Sequence, residues 1–125
     1  MANKRKNAAE STTIAVAGCG CAVRDASDGS RKAAAVDPEV KSRNLTRLRR
    51  IEGQIRGLQK MVDEDRYCAD ILAQISSVHE ALRGVGRELL RNHLKHCATG
   101  AIRSGGEEAD RMYDEIVGLM YTHSR

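Results

Sequence analysis

The chain has 125 residues, enough for one small domain and a tail, with 41% hydrophobic and 30% charged residues. Phe and Trp are absent, Tyr occurs three times and Pro once, which argues against an aromatic-cored sandwich or barrel and leaves an all-α fold as the expectation. The net charge of +4 is unevenly placed: residues 1–36 carry six Lys/Arg against three Asp/Glu, and residues 37–125 fifteen against fourteen.

No apolar run approaches the ~20 residues that span a bilayer. Lys4, Arg5 and Lys6 are not followed by the apolar core of a secretory leader, so a cytoplasmic protein is expected. Residues 1–36 are rich in Ala, Gly, Ser and Asn without a sustained apolar period. They are expected to form a flexible N-terminal arm, with residues 37–125 as the helical domain. The arm carries Cys19-Gly-Cys21. A Cys-x-Cys pair is an auxiliary site for a soft metal or simply part of a tail without a role.

Asp37-Pro38-Glu39 has the form of a helix start: an Asp cap, Pro at the first helical position and an acid in the first turn. Leu48, Ile51, Ile55, Leu58 and Val62 then recur at steps of three and four, predicting one apolar stripe on a helix ending near Val62. Asp63-Glu64-Asp65 supplies a polar connection. Cys68, Ile71, Ile75, Val78, Leu82, Val85 and Leu89 repeat the pattern, and the stripe continues to His93 and Cys97. Gly84 and Gly86 weaken this second helix by ~1 kcal/mol each relative to Ala. After Gly105-Gly106 a third, shorter helix is expected from about Glu107 to Tyr121, with Met112, Ile116, Leu119 and Met120 on its apolar side. Three helices of unequal length do not close a core, so a second chain is required.

Four Cys in a cytosolic chain favour metal binding or thiol chemistry over disulfides. Cys68, His93 and Cys97 share the stripe of the second helix, and His93 and Cys97 are one turn apart. Two thiolates with one imidazole suit Cu(I), whereas Zn(II) takes a fourth ligand. In a continuous helix, however, Cys68 is ~37 Å from His93. Two arrangements solve this. Antiparallel pairing of two identical helices sets Cys68 of one subunit beside His93 and Cys97 of the other, giving two equivalent sites per dimer. Alternatively the helix breaks at Gly84 or Gly86 and closes the site within one chain. Tyr67 and Glu115, or Asp114, are candidates to orient His93 from outside the ligand set.

Residues 41–60 hold seven basic side chains against the single acid Glu52. On a helix, Arg43, Arg47, Arg50 and Gln54 form one row, and Arg49, Arg56 and Lys60 another; Arg83, Arg87 and Arg91 form a row on the second helix. No helix-turn-helix pattern is present. Such rows form either a solvated helix face or a surface for nucleic acid or another polyanion, which would bind phosphates with a steep salt dependence; for double-stranded DNA, Arg47, Arg49, Arg50, Gln54, Arg56 and Arg87 are the expected contacts.

Arg47-Leu-Arg-Arg-Ile-Glu-Gly-Gln-Ile-Arg-Gly-Leu58, Asp65-Arg-Tyr-Cys68, Gln74-Ile-Ser76 and Asn92-His-Leu-Lys-His-Cys97 resemble the copper-sensitive operon repressor family, CsoR with its nickel- and cobalt-sensing RcnR relatives. The resemblance covers residues 40–121. It implies an antiparallel four-helix-bundle dimer, assembly of two dimers into a tetramer, and operator DNA released when the inducer fills an intersubunit site. It also implies Cys68, His93 and Cys97 as the ligand set of the copper-sensing members. Nickel and cobalt sensors carry His in place of Cys97, formaldehyde-responsive relatives lack the second thiolate, and persulfide-responsive ones lack the His. The Cys19/Cys21 arm stands outside the family motif. The alternatives to a Cu(I)-responsive repressor are a Cu(I) buffer or chaperone without DNA, or a repressor of the same fold responding to nickel or cobalt, formaldehyde or sulfur species; a thiol enzyme is not expected because no local base accompanies Cys68.

Overall fold

The computed structural model describes residues 14–15, 22–24, 26–33 and 35–124. Cys19 and Cys21 lie outside them. The chain divides into two compact units, residues 35–99, and residues 1–34 together with 100–125.

The first of these units is a helical hairpin. Helix α1 spans Pro38–Asp63. The Asp37 carboxylate accepts the Glu39 N–H at 2.9 Å, and Pro38 occupies the first turn, where its missing N–H costs nothing. The helix ends in a tight turn in which Glu64, Asp65 and Arg66 donate their N–H groups back to Lys60, Val62 and Met61. Asp65 has a positive φ of 51°, a conformation a short polar side chain tolerates. Helix α2 spans Cys68–His93. It passes through Gly84 and Gly86 without interruption, which excludes the broken-helix arrangement. The core of the hairpin is Ile51 with Val78 and Val85, flanked by Leu58 and Ala81. Burying a side chain of this size contributes about 1.5–3 kcal/mol.

The long stripe expected on α2 resolves into two. Ile71, Val78 and Val85, seven residues apart, are buried or half-buried, while Leu82 and Leu89 are largely exposed. Together with Cys68 and Ile75 these form a second seven-residue series, displaced from the first by about 60° around the helix. Leu72, absent from the predicted stripe, is 61% exposed beside it. On α1, Leu48, Ile55 and Val62 are likewise exposed at steps of seven. A three-four pattern does not distinguish one broad face from two adjacent seams, and this chain has both.

Beyond His93 the backbone stays helical, but Leu94–Ala98 form a π turn before α3, Thr99–Ser104. Gly105 (φ 72°) and Gly106 (φ 58°) then separate α3 from the next helix in a conformation L side chains rarely adopt. Helix α4 follows at Gly106–His123, with Ala109 buried and Met112 fully buried. Ile116 and Leu119 are half-buried and Met120 is exposed. No helix among the described residues is long and apolar enough to cross a membrane.

The described residues before α1 include three short strands. Strands β1 (Ile14–Ala15), β2 (Ala22–Arg24) and β3 (Arg31–Ala33) pair antiparallel in that order. Arg24 faces Arg31 across a loop in which Asp28 accepts the Ser30 N–H at 2.8 Å and Gly29 has φ 69°. Asp-Gly between two short runs is a hairpin signal. The helices carry the core, and the side chains of β3 are all exposed.

Candidate metal centre and nucleic-acid interface

Cys68 is the first residue of α2 and is exposed. The free N–H groups and dipole of a helix start favour negative charge there. Tyr67 is the cap residue; its carbonyl accepts the N–H groups of Asp70 and Ile71, and the residue is 70% exposed. His93 is the last residue of α2 and half-buried, and Cys97 sits buried in the π turn. Glu115 is half-buried on α4. With α2 unbroken, Cys68 and His93 are separated by 25 residues of helix, ~37 Å. The described residues of one chain accordingly bring no three His, Cys, Asp or Glu side chains together for a metal. Cys68 lies on the exposed seam of α2, and His93 extends the same seam, four residues beyond Leu89.

The π turn carries the signal that sequence periodicity missed. Leu94 O accepts the Thr99 N–H, the five-residue step that defines the turn, and it also accepts the Thr99 hydroxyl at 3.0 Å. Thr usually bonds the carbonyl four residues back. Single π turns within α-helices are frequent at functional sites.

The basic rows are divided by the hairpin. Arg47, Arg50 and Gln54 of α1 and Arg87 of α2 line one cavity of ≈ 490 Å³ floored by Ile51, Ala81 and Gly84. Gln54 Oε1 is buried there without a hydrogen-bond partner. Two carboxylates that the basic rows did not reveal, Glu80 and Glu88, complete the lining. Glu88 is held by Arg43 at 2.6 Å. That hydrogen bond, with the charges of Arg43, Arg47 and Arg91, keeps the Glu88 carboxyl below the usual glutamate range against the opposing effect of desolvation. Arg43 is raised in turn, chiefly by its bond to Glu88. Arg49 and Arg56 do not line the cavity. Both are exposed, and Arg56 pairs with Glu52 one turn back on its own helix.

A helical hairpin with an open apolar seam, thiol and imidazole groups at opposite ends of that seam, and an arginine-lined cavity on another face defines a ligand-responsive, oligomeric DNA-binding protein. Residues 40–121 match the metal-sensitive transcriptional repressor family, and the chain belongs to that family. The copper-sensing transcriptional repressor RicR of Mycobacterium tuberculosis is 53% identical over 72 residues, covering 58% of this chain and 75% of RicR. The crystal structure of the copper-sensing repressor CsoR with Cu(I) from Geobacillus thermodenitrificans superposes with a TM-score of 0.65 at 42% identity, covering 73% of this chain and 93% of CsoR. A variant of the formaldehyde-responsive regulator FrmR from Salmonella enterica serovar Typhimurium gives a TM-score of 0.56 at 32% identity, covering 71% and 99%. The fold thus serves more than one inducer, and the donor atoms have to discriminate among them.

Proposed function

We propose that the protein is a Cu(I)-responsive transcriptional repressor, a regulator and not an enzyme. It binds DNA without the inducer and leaves it when Cu(I) occupies sites made of Cys68 from one subunit with His93 and Cys97 from its antiparallel partner. The observation that carries this reading is the placement of Cys68 and His93 at opposite ends of one unbroken helix, on a seam that a second copy of the chain would cover. The donor set fits the ion: two soft thiolates and one imidazole satisfy three-coordinate Cu(I), while nickel and zinc favour more ligands or harder ones. The ion supplies a bond between subunits, and the protein's residues do the rest. Tyr67 at the start of α2 and Glu115 on α4 are proposed to orient the ligands.

On the DNA side, Arg47, Arg50, Gln54 and Arg87 form the principal contact, with Arg49 and Arg56 as outlying phosphate contacts. Pairing of two dimers would repeat this surface along an operator. Release requires that the inducer favour the DNA-incompetent arrangement, typically by ~1–3 kcal/mol of coupling. Cys19 and Cys21 are proposed as auxiliary soft-metal ligands.

The test is fluorescence anisotropy of the reduced protein on DNA from upstream of its own gene, titrated with Cu(I), Ni(II), Zn(II) and formaldehyde. Release by Cu(I) alone, near one ion per subunit, supports the reading. DNA binding indifferent to Cu(I) transfers the inducer to another class, and absence of DNA binding at low salt leaves a copper buffer.

A further inference from the structure

Asn44 is the one buried polar or charged residue among the described residues, 5% exposed on α1, and neither polar atom of its amide has a hydrogen-bond partner. Asn92 of α2 is half-buried, and its Oδ1 is likewise buried without a partner. Asn44 lies seven residues before Ile51, and Asn92 seven after Val85. Ile51 and Val85 share the core of the hairpin, and seven residues return a helix to within about 20° of the same direction. The two asparagines therefore continue the buried lines of α1 and α2 by one layer, at the mouth of the hairpin. The ion pair there agrees with this alignment: Arg43, next to Asn44, meets Glu88, one turn before Asn92.

Packing does not ask for amides here. The same lines carry Ile51, Leu58, Val78 and Val85 deeper in the hairpin, and a buried amide left unpaired costs stability that an apolar side chain of similar shape does not. Departures of this kind concentrate at functional positions. The neighbours of the two amides belong to the two functions the protein has to connect. Asn92 precedes the proposed ligand His93 and points about 100° away from it around the helix, so a rotation of this turn when His93 is held by an ion moves the Asn92 amide relative to α1. Asn44 follows Arg43, which holds Glu88, and precedes by one turn Arg47, which lines the arginine cavity.

An Asn amide is both donor and acceptor, so two such groups in one layer have two discrete arrangements: apart, as here, or joined by reciprocal N–H···O bonds. We propose that Asn44 and Asn92 are positioning residues for DNA release. Apart, they leave the start of α1 in the arrangement that binds DNA; joined, they draw it toward the end of α2 together with Arg43 and Arg47, and Cu(I) on His93 favours the joined arrangement. This rests on the Cu(I)-responsive reading and extends it to the route by which the ion reaches the DNA surface. Coupling between distant sites needs an element with two states that both sites bias, and the amide pair is such an element.

The test uses the full chain, reduced, as wild type, Asn44→Leu, Asn92→Leu and the double variant. Leu keeps the branched shape of Asn without its hydrogen bonds, and Asn44→Ala serves as a second probe that cannot overpack. DNA affinity is read by anisotropy without and with saturating Cu(I), and the bound ion is counted in the same samples. Wild type is expected to lose DNA affinity by about tenfold or more with Cu(I). Each variant is expected to bind DNA within about threefold of wild type without the ion, to take up Cu(I) at the wild-type stoichiometry, and to release DNA by less than about threefold. Asn44→Leu is also expected to melt at or above the wild-type temperature. The double variant is expected to match the single ones, because the two amides act as one unit. Wild-type release in both Asn44 variants overturns the inference, as does a double variant that loses the sum of two partial effects. Loss of helicity or of DNA binding in every variant shows a packing role and overturns it as well. Wild-type protein whose DNA affinity ignores Cu(I) overturns the functional reading and this inference together, whereas normal wild-type release that survives in the variants overturns this inference alone.

Discussion

Arg43, in the second turn of α1, meets Glu88, in the second half of α2, at 2.6 Å, tying the start of one helix to the far end of the other across the mouth of the hairpin. Glu88 also lines the arginine-rich cavity, so the pair both closes the hairpin and masks an acid at the proposed phosphate contact. The folded-state pKa of Glu88 lies below its ordinary value of 4.5, first through its hydrogen bond to Arg43. The contribution of the pair is therefore complete above that value and disappears as pH falls through the lowered one. Glu88→Gln is expected to reduce the thermal midpoint at pH 7 and to match wild type near pH 2. Equal separation of the two melting curves at both pH values would show that the loss is steric and not electrostatic.

Arg43→Ala has a second consequence, which separates it from Glu88→Gln. It frees the Glu88 carboxylate to compete with phosphate for Arg47 and Arg91, whose charges already act on it, so DNA affinity is expected to fall. Glu88→Gln removes the negative charge and leaves affinity equal or higher. Anisotropy titrations of the two variants on one DNA duplex are expected to move in opposite directions.

The cavity arginines should dominate the salt dependence. Each phosphate contact contributes a slope of ~0.9 in log K against log salt on duplex DNA. Arg47→Ala, Arg50→Ala and Arg87→Ala are each expected to lower the slope by about that amount for every copy of the residue that meets a phosphate. Arg56→Ala is expected to change it less, because its guanidinium is already engaged by Glu52. An Arg56 effect equal to that of Arg47 would shift the DNA track to the outer face of α1.

The intersubunit site admits a complementation test. Cys68→Ala retains His93 and Cys97, and His93→Ala/Cys97→Ala retains Cys68, so neither homodimer has a complete ligand set. A mixed dimer regains one full site, with Cys68 from one subunit and the other two ligands from its partner. Refolding equal amounts of the two variants together is expected to restore Cu(I) binding at about a quarter of the wild-type stoichiometry, because random pairing makes about half of the dimers mixed and each mixed dimer has one of the two symmetry-related sites. If the mixture binds no more than its components, no site is shared between chains.

Much of this was legible before the structure, and where it was not, the reason is physical. Asp37-Pro38 and Gly105-Gly106 marked helix limits because capping and positive φ are local properties of the chain. The separation of Cys68 from His93 followed from helical rise alone. The two seams of α2 were merged because Ile71, Val78 and Val85 interleave with Cys68, Ile75, Leu82 and Leu89 at the same three-four steps, and only the position of α1 tells them apart. The π turn was invisible because one extra residue leaves no compositional mark. The β2–β3 hairpin had a signal, Asp28-Gly29, that the surrounding Ala and Ser obscured.

The dimer seam supplies the sharpest contest between local and global effects. If Cys68 faces the partner's His93, the two-fold axis passes between Glu80 and Ala81, which sets Leu72 against Leu89 and Ile75 against Gly86. A Cβ atom at Gly86 meets nothing within 4 Å in its own subunit. Replacing this glycine with Leu therefore improves helix propensity by nearly 1 kcal/mol in the isolated subunit. In the dimer the same side chain overpacks the partner's Ile75, at a typical cost of 1–3 kcal/mol, counted twice by symmetry. Gly86→Leu is thus expected to keep or raise helicity while dissociating at higher protein concentration than wild type in sedimentation equilibrium. Cu(I) affinity should fall with the loss of dimer. Adding Ile75→Ala clears the space opposite and is expected to recover association. A Gly86→Leu protein as tightly dimeric as wild type would place Gly86 away from the seam and shift the register that joins Cys68 to His93.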